Sequence, residues 1–367
     1  MRLLFTTAPL RGHLHPLVPL AWAARACGHE VLVGTAEAFC AAVAASGLPV
    51  ASLGPAGGFV ELAGAERATP DPAGRRRAHG RAFALIAADV LPGARRVVAD
   101  WRPDLIVSER AEFAGPLAAA AAGVPQVEYR WGIAPLEEYP EAAAEEFGVR
   151  PPPPVRVLDP WPARLRQAHA AHHQSIRDMP YSGEARVPEW ALRPRVRPRV
   201  CVTFGTVVPR LGGGQVDDLL LPMLRSLSGL GAEIVVAAEE QVLAARPELA
   251  EAADHVGRLP LAQVLPVCDV LVSHGGHNTV LTALAAGVPQ LVIPQFDDQF
   301  DNADAVAGAG AGLRLDPGAA TPEAVAARCR ELLGDRRHAE AAAGLAAEIA
   351  AQPSPADVVT LLEKPAS

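Results

Sequence analysis

The 367-residue sequence is nearly without lysine and contains no long apolar run. Lys364 is its only lysine, so arginine supplies 32 of the 33 basic residues, and 41 acidic residues bring the net charge to −8. An acidic chain is a poor ligand for DNA or RNA, because neutralising phosphates requires an excess of Lys and Arg. No stretch approaches the roughly 20 uninterrupted apolar residues of a membrane span. We therefore expect neither nucleic-acid binding nor a membrane span.

Cysteine is also scarce, and no two cysteines form a CxxC pair. This disfavours both a disulfide framework and a structural zinc site, so each cysteine is expected to be a small buried residue. The short apolar run at residues 3–5 predicts a first strand, not the longer core of a secretory signal. The simplest prediction is a soluble cytoplasmic protein. The five cysteines are Cys27, Cys40, Cys201, Cys268 and Cys329.

Short β-branched runs alternate with longer Ala/Leu-rich segments, and the pattern restarts after a Pro/Arg-rich stretch. This alternation predicts an α/β fold of two doubly wound units with parallel sheets. The domains are expected at residues 1–193 and 200–350, with a linker at 194–199. The predicted strands are 2–7, 30–34, 104–108, 199–203, 234–237, 270–273 and 291–293. The predicted helices are 16–27, 112–122, 215–230, 279–286 and 302–308.

Residues 54–80 are rich in Gly, Pro and Arg and show little periodicity. The simple interpretation is an irregular surface loop. The alternative is a lid facing a substrate, because long loops in compact domains are often functional.

The segment Ser273–Thr279 ends a predicted strand with a Gly-Gly turn and has the features of an anion site. A helix is expected to start near Thr279, and a helix N-terminus offers unpaired N–H groups and the positive end of a dipole. Glycines let an anion approach the backbone closely. Asn278 or Thr279 is expected to cap the helix, and His274 to donate to a phosphate oxygen. The alternative is a structural turn with incidental histidines.

Polar residues follow two other strands of the same half. Asp298-Gln299 follows one predicted strand, and Phe204–Thr206 follows another. Ligands of open α/β sheets bind at the carboxyl ends of strands. This placement favours a ligand site at the turn.

A histidine follows the first predicted strand of the N-terminal half, in the segment Gly12-His13. It too lies at the carboxyl end of a strand, where an imidazole can take up a proton near neutral pH. From the residues alone, His13 is either a histidine at a helix terminus or a catalytic base.

The segment His274–Thr279 resembles the His-Cys-Gly-Trp-Asn-Ser core of the plant secondary-product glycosyltransferase signature, and Asp298-Gln299 matches its later Asp/Glu-Gln pair. Over most of its length the chain is similar to the GT-B glycosyltransferases, which include plant secondary-product and actinomycete antibiotic enzymes. The resemblance implies two Rossmann-like domains facing a central cleft. The N-terminal domain would bind the acceptor and the C-terminal domain the nucleotide sugar. Residues 351–367 are expected to return to the N-terminal domain, as the last helix of GT-B proteins commonly does.

The resemblance also assigns the donor contacts. Asp298 and Gln299 are expected to contact the donor sugar. The family usually has a Trp that stacks on the nucleobase, followed three residues later by Gln, but here Arg258 and Leu261 stand in their places. A guanidinium can lie flat on a base, so Arg258 and Leu259 are the expected nucleobase contacts. The expected pyrophosphate contacts are Thr206, His274, Gly275, Gly276, Asn278 and Thr279.

In the N-terminal half, Gly12-His13 aligns with the family's Gly-His, whose imidazole deprotonates the acceptor hydroxyl. The resemblance therefore implies that His13 is the base, whereas His15 is out of register. Family members often pair this histidine with a carboxylate after a middle strand, which orients the ring and stabilises its protonated form. Glu109 is the first candidate and Glu112 the second. The alternative for Glu109 is a solvated loop carboxylate.

The implied activity is inverting, metal-independent transfer of a (deoxy)sugar from a dTDP- or UDP-sugar to a hydroxyl of a lipophilic natural product such as a polyketide. The nucleotide sugar is a co-substrate, and no cofactor or metal is expected. The aromatic residues hypothesised to line an acceptor pocket are Phe59, Phe83, Tyr129 and Trp131, whose alternative role is local core.

Two other functions stay open. One is a sugar-nucleotide epimerase or hydrolase on the same fold, and the other is a non-catalytic auxiliary protein. A dinucleotide oxidoreductase is disfavoured, since no GxGxxG follows the first strand. The oligomeric state is left open, a homodimer included.

Overall fold

The computed structural model describes residues 1–64, 71–184, 186–208 and 214–364. The chain forms two compact units. Unit 1 comprises Met1–Trp131, Pro135–Tyr181 and the segment from Gln352 onward. Unit 2 comprises Gly132–Ala134 and Ser182–Ala351.

The division after Tyr181 lies earlier than the predicted linker at 194–199. The Pro/Arg-rich stretch is fastened to unit 2, because Trp190 stacks on His255 with ring centroids 4.2 Å apart. Arg199, the last residue of the predicted linker, already belongs to a strand and is buried. Composition alone therefore placed the boundary too late.

A seven-stranded parallel sheet forms the centre of unit 1, with the order β3-β2-β1-β4-β5-β6-β7. The chain winds outward from β1 to β3 and returns to β4, so the topological switch point lies between β1 and β4. The strands are β1 Arg2–Thr6, β2 Glu30–Thr35, β3 Val50–Ser52, β4 Leu105–Glu109, β5 Gln126–Tyr129, β6 Arg156–Asp159 and β7 Gln174–Ser175.

The helices of unit 1 connect and cover these strands, and helix α2 ends before Gly28 (φ 89°) as its sequence predicts. The helices are α1 Arg11–Leu14, α2 Val18–Ala26, α3 Cys40–Ala44, α4 Phe59–Gly64, α5 Pro72–Trp101, α6 Ala114–Ala122 and α7 Glu138–Phe147.

The prediction of an irregular loop at 54–80 is wrong where the structure describes this segment, because α4 and the start of α5 occupy much of it. Asp71 caps α5 by accepting hydrogen bonds from the N–H groups of Ala73 and Gly74. A Cβ at Gly80 would lie 2.8 Å from the Cα of Tyr139. Gly80 thus permits close packing of α5 on α7, although glycine weakens the helical signal in the sequence. Residues 65–70 lie outside the described ranges.

Unit 2 contains a six-stranded parallel sheet with the order β10-β9-β8-β11-β12-β13, so its switch point lies between β8 and β11. The strands are β8 Arg199–Thr203, β9 Glu233–Ala237, β10 His255–Gly257, β11 Val270–Ser273, β12 Gln290–Val292 and β13 Gly312–Arg314. The helices are α8 Gly214–Ser228, α9 Glu240–Ala245, α10 Leu249–Ala252, α11 Leu261–Val264, α12 His277–Ala285, α13 Asp298–Gly308, α14 Pro322–Gly334 and α15 Arg336–Ala351.

The final described helix, α16 (Pro355–Leu362), packs against α2 in unit 1. Its Val358 and Val359 are buried in the core beneath the unit 1 sheet. At its end, a carboxylate oxygen of Glu363 lies 3.0 Å from Nε2 of His29.

Two sequence expectations can be compared directly with these units. Three of the five cysteines are buried, but Cys27 is exposed and Cys40 is half-buried, so the expectation of burial is wrong for these two. Within the described ranges, no helix combines the length and apolar character needed to cross a membrane.

Candidate active site

The switch point of unit 1 brings His13 and Glu109 together. Thr6, the last residue of β1, lies beside Ser108 of β4, and their hydroxyl oxygens are 2.8 Å apart. The chain after β1 turns into α1, which carries His13, while β4 ends at Glu109. The carboxyl ends of neighbouring parallel strands thus place both side chains at one edge of the sheet.

Nδ1 of His13 lies 3.0 Å from Oε1 of Glu109. The same oxygen accepts a hydrogen bond from the N–H of Ala8 (3.1 Å). Oε2 accepts from the N–H of Ala111 (2.8 Å) and from the indole N–H of Trp131 (2.6 Å). Glu109 is buried and fully hydrogen-bonded, so the alternative of a solvated loop carboxylate is wrong.

These contacts fix the protonation pattern of the pair. Burial opposes ionisation of Glu109, but the charge of His13 and the hydrogen bonds from His13, Trp131 and Ala111 outweigh it and lower the pKa of Glu109. An ionised carboxylate can only accept, so Nδ1 of His13 carries the proton. Nε2 is then the ring nitrogen that can receive a proton from a ligand.

Glu112 has a different role in this network. Its two carboxylate oxygens accept hydrogen bonds from the N–H groups of Ala114 (2.8 Å) and Gly115 (2.9 Å), the first two residues of α6. Burial raises the pKa of Glu112 to about 7, and the nearby charge of Glu109 adds to this, while hydrogen bonds from Thr6, Gly115 and Ala114 oppose it. Glu112 therefore caps α6, and of the two candidates the structure pairs Glu109 with the imidazole.

The raised pKa of Glu112 predicts how Glu112→Gln changes the pH dependence of stability. With a pKa of about 7 in the folded protein against an ordinary 4.5, its stabilising contribution is complete below the lower value and is lost as the pH rises through the upper one. The loss is on the order of 3 kcal/mol, at about 1.4 kcal/mol per pKa unit. Glutamine cannot ionise, so the Tm of the variant relative to wild type should rise between pH 5 and pH 8.

Thermal unfolding at several pH values checks this prediction. Glu137→Gln is the matched control, because Glu137 is 61% exposed and pairs with Arg150 at the surface. Its Tm should follow the wild-type curve across the range. A Glu112→Gln curve that also runs parallel to wild type would show that Glu112 ionises normally in the folded protein.

Aromatic rings enclose His13 on two sides. The imidazole centroid lies 4.7 Å from Trp131 and 5.1 Å from Phe83, and Phe83 stacks on Phe59 at 4.5 Å. Three of the four hypothesised acceptor-pocket residues therefore cluster around the histidine. Tyr129 does not: it is buried in the core of the sheet, which is the alternative role considered for it.

His15 points to another neighbour. Its ring meets Tyr181 edge-on at a centroid distance of 5.1 Å. His13, and not His15, is the histidine paired with Glu109.

The switch point of unit 2 forms the turn after β11. Gly275 has a φ of 84°, a left-handed conformation that favours glycine. Helix α12 begins at His277, earlier than predicted, with Gly276 as its N-cap. Asn278 and Thr279 lie inside the first turn, so the prediction that one of them caps the helix is wrong. Gly276 offers no side-chain cap, so the N-terminus of α12 presents backbone and not a capping side chain at this turn.

His274 fits between two glycines of this turn. A Cβ at Gly205 would lie 2.7 Å from Cε1 of the ring, and one at Gly276 would lie 2.4 Å from Nε2. The ring is buried, and its Nδ1 has no hydrogen-bond partner among the described residues. Burial lowers the pKa of His274 to about 4, against a backbone hydrogen bond with Thr203. The imidazole is therefore neutral near pH 7. Thr206 lies in the turn after β8, on the other strand of the switch point.

Asp298 and Gln299 lie in the first turn of α13, which begins earlier than the predicted residue 302. Oδ2 of Asp298 accepts a hydrogen bond from Nδ2 of Asn302 (2.8 Å). Oε1 of Gln299 accepts from the N–H groups of Gln295 (2.9 Å) and Phe296 (3.3 Å). Both side chains are thus fixed by the segment that follows β12.

Comparison with known proteins connects this geometry to a family. Residues 22–205 match the N-terminal domain, and residues 222–364 the C-terminal domain, of the family described as erythromycin biosynthesis protein CIII-like. The chain is also 38% identical to L-demethylnoviosyl transferase of Streptomyces niveus, over 98% of this chain and 96% of that protein. The chain belongs to the erythromycin biosynthesis protein CIII-like family. It is a glycosyltransferase of antibiotic biosynthesis.

Solved glycosyltransferase structures share the fold of this family member, two parallel-sheet α/β units of the GT-B type. The crystal structure of SsfS6 from Streptomyces sp. SF2575, complexed with thymidine diphosphate, has a TM-score of 0.83 and 33% identity, covering 99% of both chains. The rhamnosyltransferase SpnG, complexed with spinosyn aglycone, has a TM-score of 0.84 and 30% identity, covering 99% of this chain and 100% of that one.

The predicted nucleobase contacts of the glycosyltransferase lie at the edge of the unit 2 sheet. Arg258 follows β10, and its Nε is 4.0 Å from a carboxylate oxygen of Glu239, which follows β9. Leu259 packs partly against a core cluster of unit 2. The base-contact role of Arg258 and Leu259 stays a prediction.

Sequence reasoning named Trp131 only as a pocket residue and missed its hydrogen bond to Glu109. It also missed His277 and Asn302, which hold the backbone within unit 2. Nδ1 of His277 accepts a hydrogen bond from the N–H of Gly132 (2.9 Å), and Oδ1 of Asn302 accepts from that of Ile133 (3.1 Å). The i,i+4 spacing of Asp298 and Asn302 puts both on one face of a helix. This spacing was the signal in the sequence that could have indicated a role for Asn302.

Proposed function

We propose that this glycosyltransferase moves a (deoxy)sugar from a dTDP-sugar to a hydroxyl of a lipophilic natural-product aglycone such as a polyketide, with inversion at the anomeric carbon. A UDP-sugar is the alternative donor. The thymidine diphosphate and aglycone bound to similar enzymes support this choice of substrates. The observation that carries the proposal is the hydrogen-bonded pair of His13 and Glu109 at the switch point of unit 1.

His13 acts as the general base in the proposed reaction. Its Nε2 removes the proton of the acceptor hydroxyl while the oxygen attacks the anomeric carbon. Glu109 accepts the hydrogen bond from Nδ1 and stabilises the imidazolium that forms. The diphosphate leaves from the face opposite the attack, so a single displacement inverts the configuration.

The turn after β11 receives the diphosphate in this proposal. The N-terminus of α12, the positive end of its dipole, faces the developing charge. Gly275 and Gly276 allow close approach, and His274, Asn278 and Thr279 provide polar side chains beside them. Thr206 adds a hydroxyl from the neighbouring strand. This electrostatic stabilisation can serve the leaving group without a metal ion.

The sugar and the acceptor are bound by the remaining predicted residues. Asp298 and Gln299, held at the start of α13, contact sugar hydroxyls. The rings of Phe59, Phe83 and Trp131 supply an apolar surface beside His13 for the aglycone. Their apolar character suits a lipophilic acceptor.

An assay with dTDP- and UDP-sugars and a set of polyketide aglycones tests this function. We expect a glycoside whose anomeric configuration, measured by NMR, is opposite to that of the donor sugar, and an unchanged rate in EDTA. Reactions without an aglycone should release little free sugar. Sugar release that is independent of the aglycone would point to a hydrolase. A product with retained configuration, or a loss of rate in EDTA that a divalent cation restores, would contradict the proposed mechanism.

A further inference from the structure

Trp131 is bonded to the carboxylate that orients the proposed base. Its indole N–H lies 2.6 Å from Oε2 of Glu109, and its ring meets the imidazole of His13 edge-on, at an interplanar angle of 61°. Trp131 is 7% exposed, so this hydrogen bond is shielded from water. One side chain therefore contacts both members of the pair.

The four donors to Glu109 divide evenly between its two oxygens. Oε1 accepts hydrogen bonds from Nδ1–H of His13 and the N–H of Ala8. Oε2 accepts hydrogen bonds from the indole N–H of Trp131 and the N–H of Ala111. Trp131 is thus the side-chain donor that opposes His13 across the carboxylate. Without it, a single backbone N–H would hold Oε2, and the carboxylate could rotate away from the direction that His13 requires.

The indole itself is held by its surroundings. A guanidinium nitrogen of Arg110 donates to the backbone oxygen of Trp131 (2.9 Å), and its Cζ lies 5.3 Å from the ring centroid. On another side the ring meets Tyr139 at a centroid distance of 6.3 Å. A ring packed on several faces has few alternative rotamers, so it can fix the position of the carboxylate.

We propose that Trp131 is a positioning residue, which holds the carboxylate of Glu109, and through it the imidazole of His13, in the orientation that proton removal requires. This inference rests on the proposed function of the pair. It is separate from the contact proposed between the Trp131 ring and the aglycone, because the indole N–H acts through Glu109.

Trp131→Phe removes the donor and keeps an aromatic ring. We expect kcat to fall roughly 10- to 100-fold, the rate equivalent of one hydrogen bond to a charged group, with donor KM unchanged. The hydrogen bond from Trp131 helps to keep the pKa of Glu109 low, so its loss should raise that pKa. The acid limb of the kcat/KM profile, on which Glu109 becomes protonated, should therefore move to higher pH. The variant retains Glu112, whose charge interacts with that of Glu109, and Arg110, which lies over the ring of Trp131.

Matched variants distinguish positioning from other roles. Trp131→Tyr restores a hydroxyl donor and should recover part of kcat, and it also tests the site if the Phe variant does not fold. In a Glu109→Gln background, Trp131→Phe should lower kcat little further, because the carboxylate that the indole N–H holds has already been replaced. Trp22→Phe is the control, since that indole donates to the backbone oxygen of Ser46 elsewhere in unit 1.

The outcomes separate this inference from the proposed function. If wild type and Trp22→Phe transfer no sugar, the proposed function fails and the inference fails with it. If both are active and Trp131→Phe matches them in kcat and pH profile, the positioning role alone is overturned. Additive losses in the Glu109→Gln background would also overturn it and would leave Trp131 only its proposed contact with the acceptor.

Discussion

Replacing His13 by alanine is expected to lower kcat roughly 10²–10⁴-fold, the usual contribution of a general base. The variant loses the nitrogen that receives the acceptor proton, and the buried charge of Glu109 loses its partner at 3.0 Å. Donor binding should not change, because the predicted donor contacts all belong to unit 2. Steady-state transfer kinetics, together with calorimetric titration of the donor, check both statements.

His15→Ala is the matched control for this experiment. His15 lies two positions along the chain, but its ring contacts Tyr181 and not Glu109. The kcat of the His15→Ala variant should stay near the wild-type value. His13→Gln keeps much of the side-chain volume but cannot act as a base, so it should be as slow as the alanine variant. Full activity in either His13 variant would remove this residue from the mechanism.

Replacing His274 by alanine is expected to weaken donor binding roughly 10- to 100-fold, the equivalent of one hydrogen bond to a charged group. Acceptor KM should change little. The expectation follows from the location of the ring, which fills the space between Gly205 and Gly276 directly before the N-terminus of α12. Calorimetric titration with the nucleotide sugar measures the effect, and equal donor affinity would contradict the phosphate assignment.

A second variant, at Gly276, tests the same space around the His274 ring. Gly276 has a φ of −60°, which alanine tolerates, so Gly276→Ala should act through the contact of its Cβ with His274. We expect a comparable loss of donor affinity. The double variant with His274→Ala should lose less than the sum of the two single losses, since the clash between the new Cβ and the ring is then absent. Gly308→Ala is the control, because a Cβ there meets no atom within 4 Å.

The pairing of His13 with Glu109 could be predicted from the family resemblance, and chain topology explains why the two side chains meet. His13 follows β1 and Glu109 ends β4, and alternating strands and helices indicate parallel strands whose carboxyl ends share one edge. The choice between Glu109 and Glu112 could not be made in this way. The choice depends on which carboxylate accepts hydrogen bonds from the N–H groups of Ala114 and Gly115, and these bonds form only in the folded chain.

The failures have the same origin in tertiary contacts. Gly80 weakened the helical signal of residues 54–80, yet its missing side chain is what allows α5 to approach Tyr139 of α7. Trp131 resembled a pocket residue in the sequence, because an indole gives no sign of which acceptor its N–H will find. The predicted domain boundary differs from the division after Tyr181 for a related reason. Trp190 lies in a stretch with the composition of a linker, but its ring stacks on His255 of unit 2.

The location of α16 has a consequence for synthesis on the ribosome. Strand β1 of unit 1 is synthesised before the strands of unit 2, but Val358 and Val359 of α16 also belong to the core of unit 1. Domains usually fold in order from the N-terminus during translation. Here unit 2 can reach its native state first, while unit 1 waits with an uncovered apolar surface beside α2. The unit that carries His13 and Glu109 therefore cannot bury its whole core until residues 358 and 359 have been synthesised.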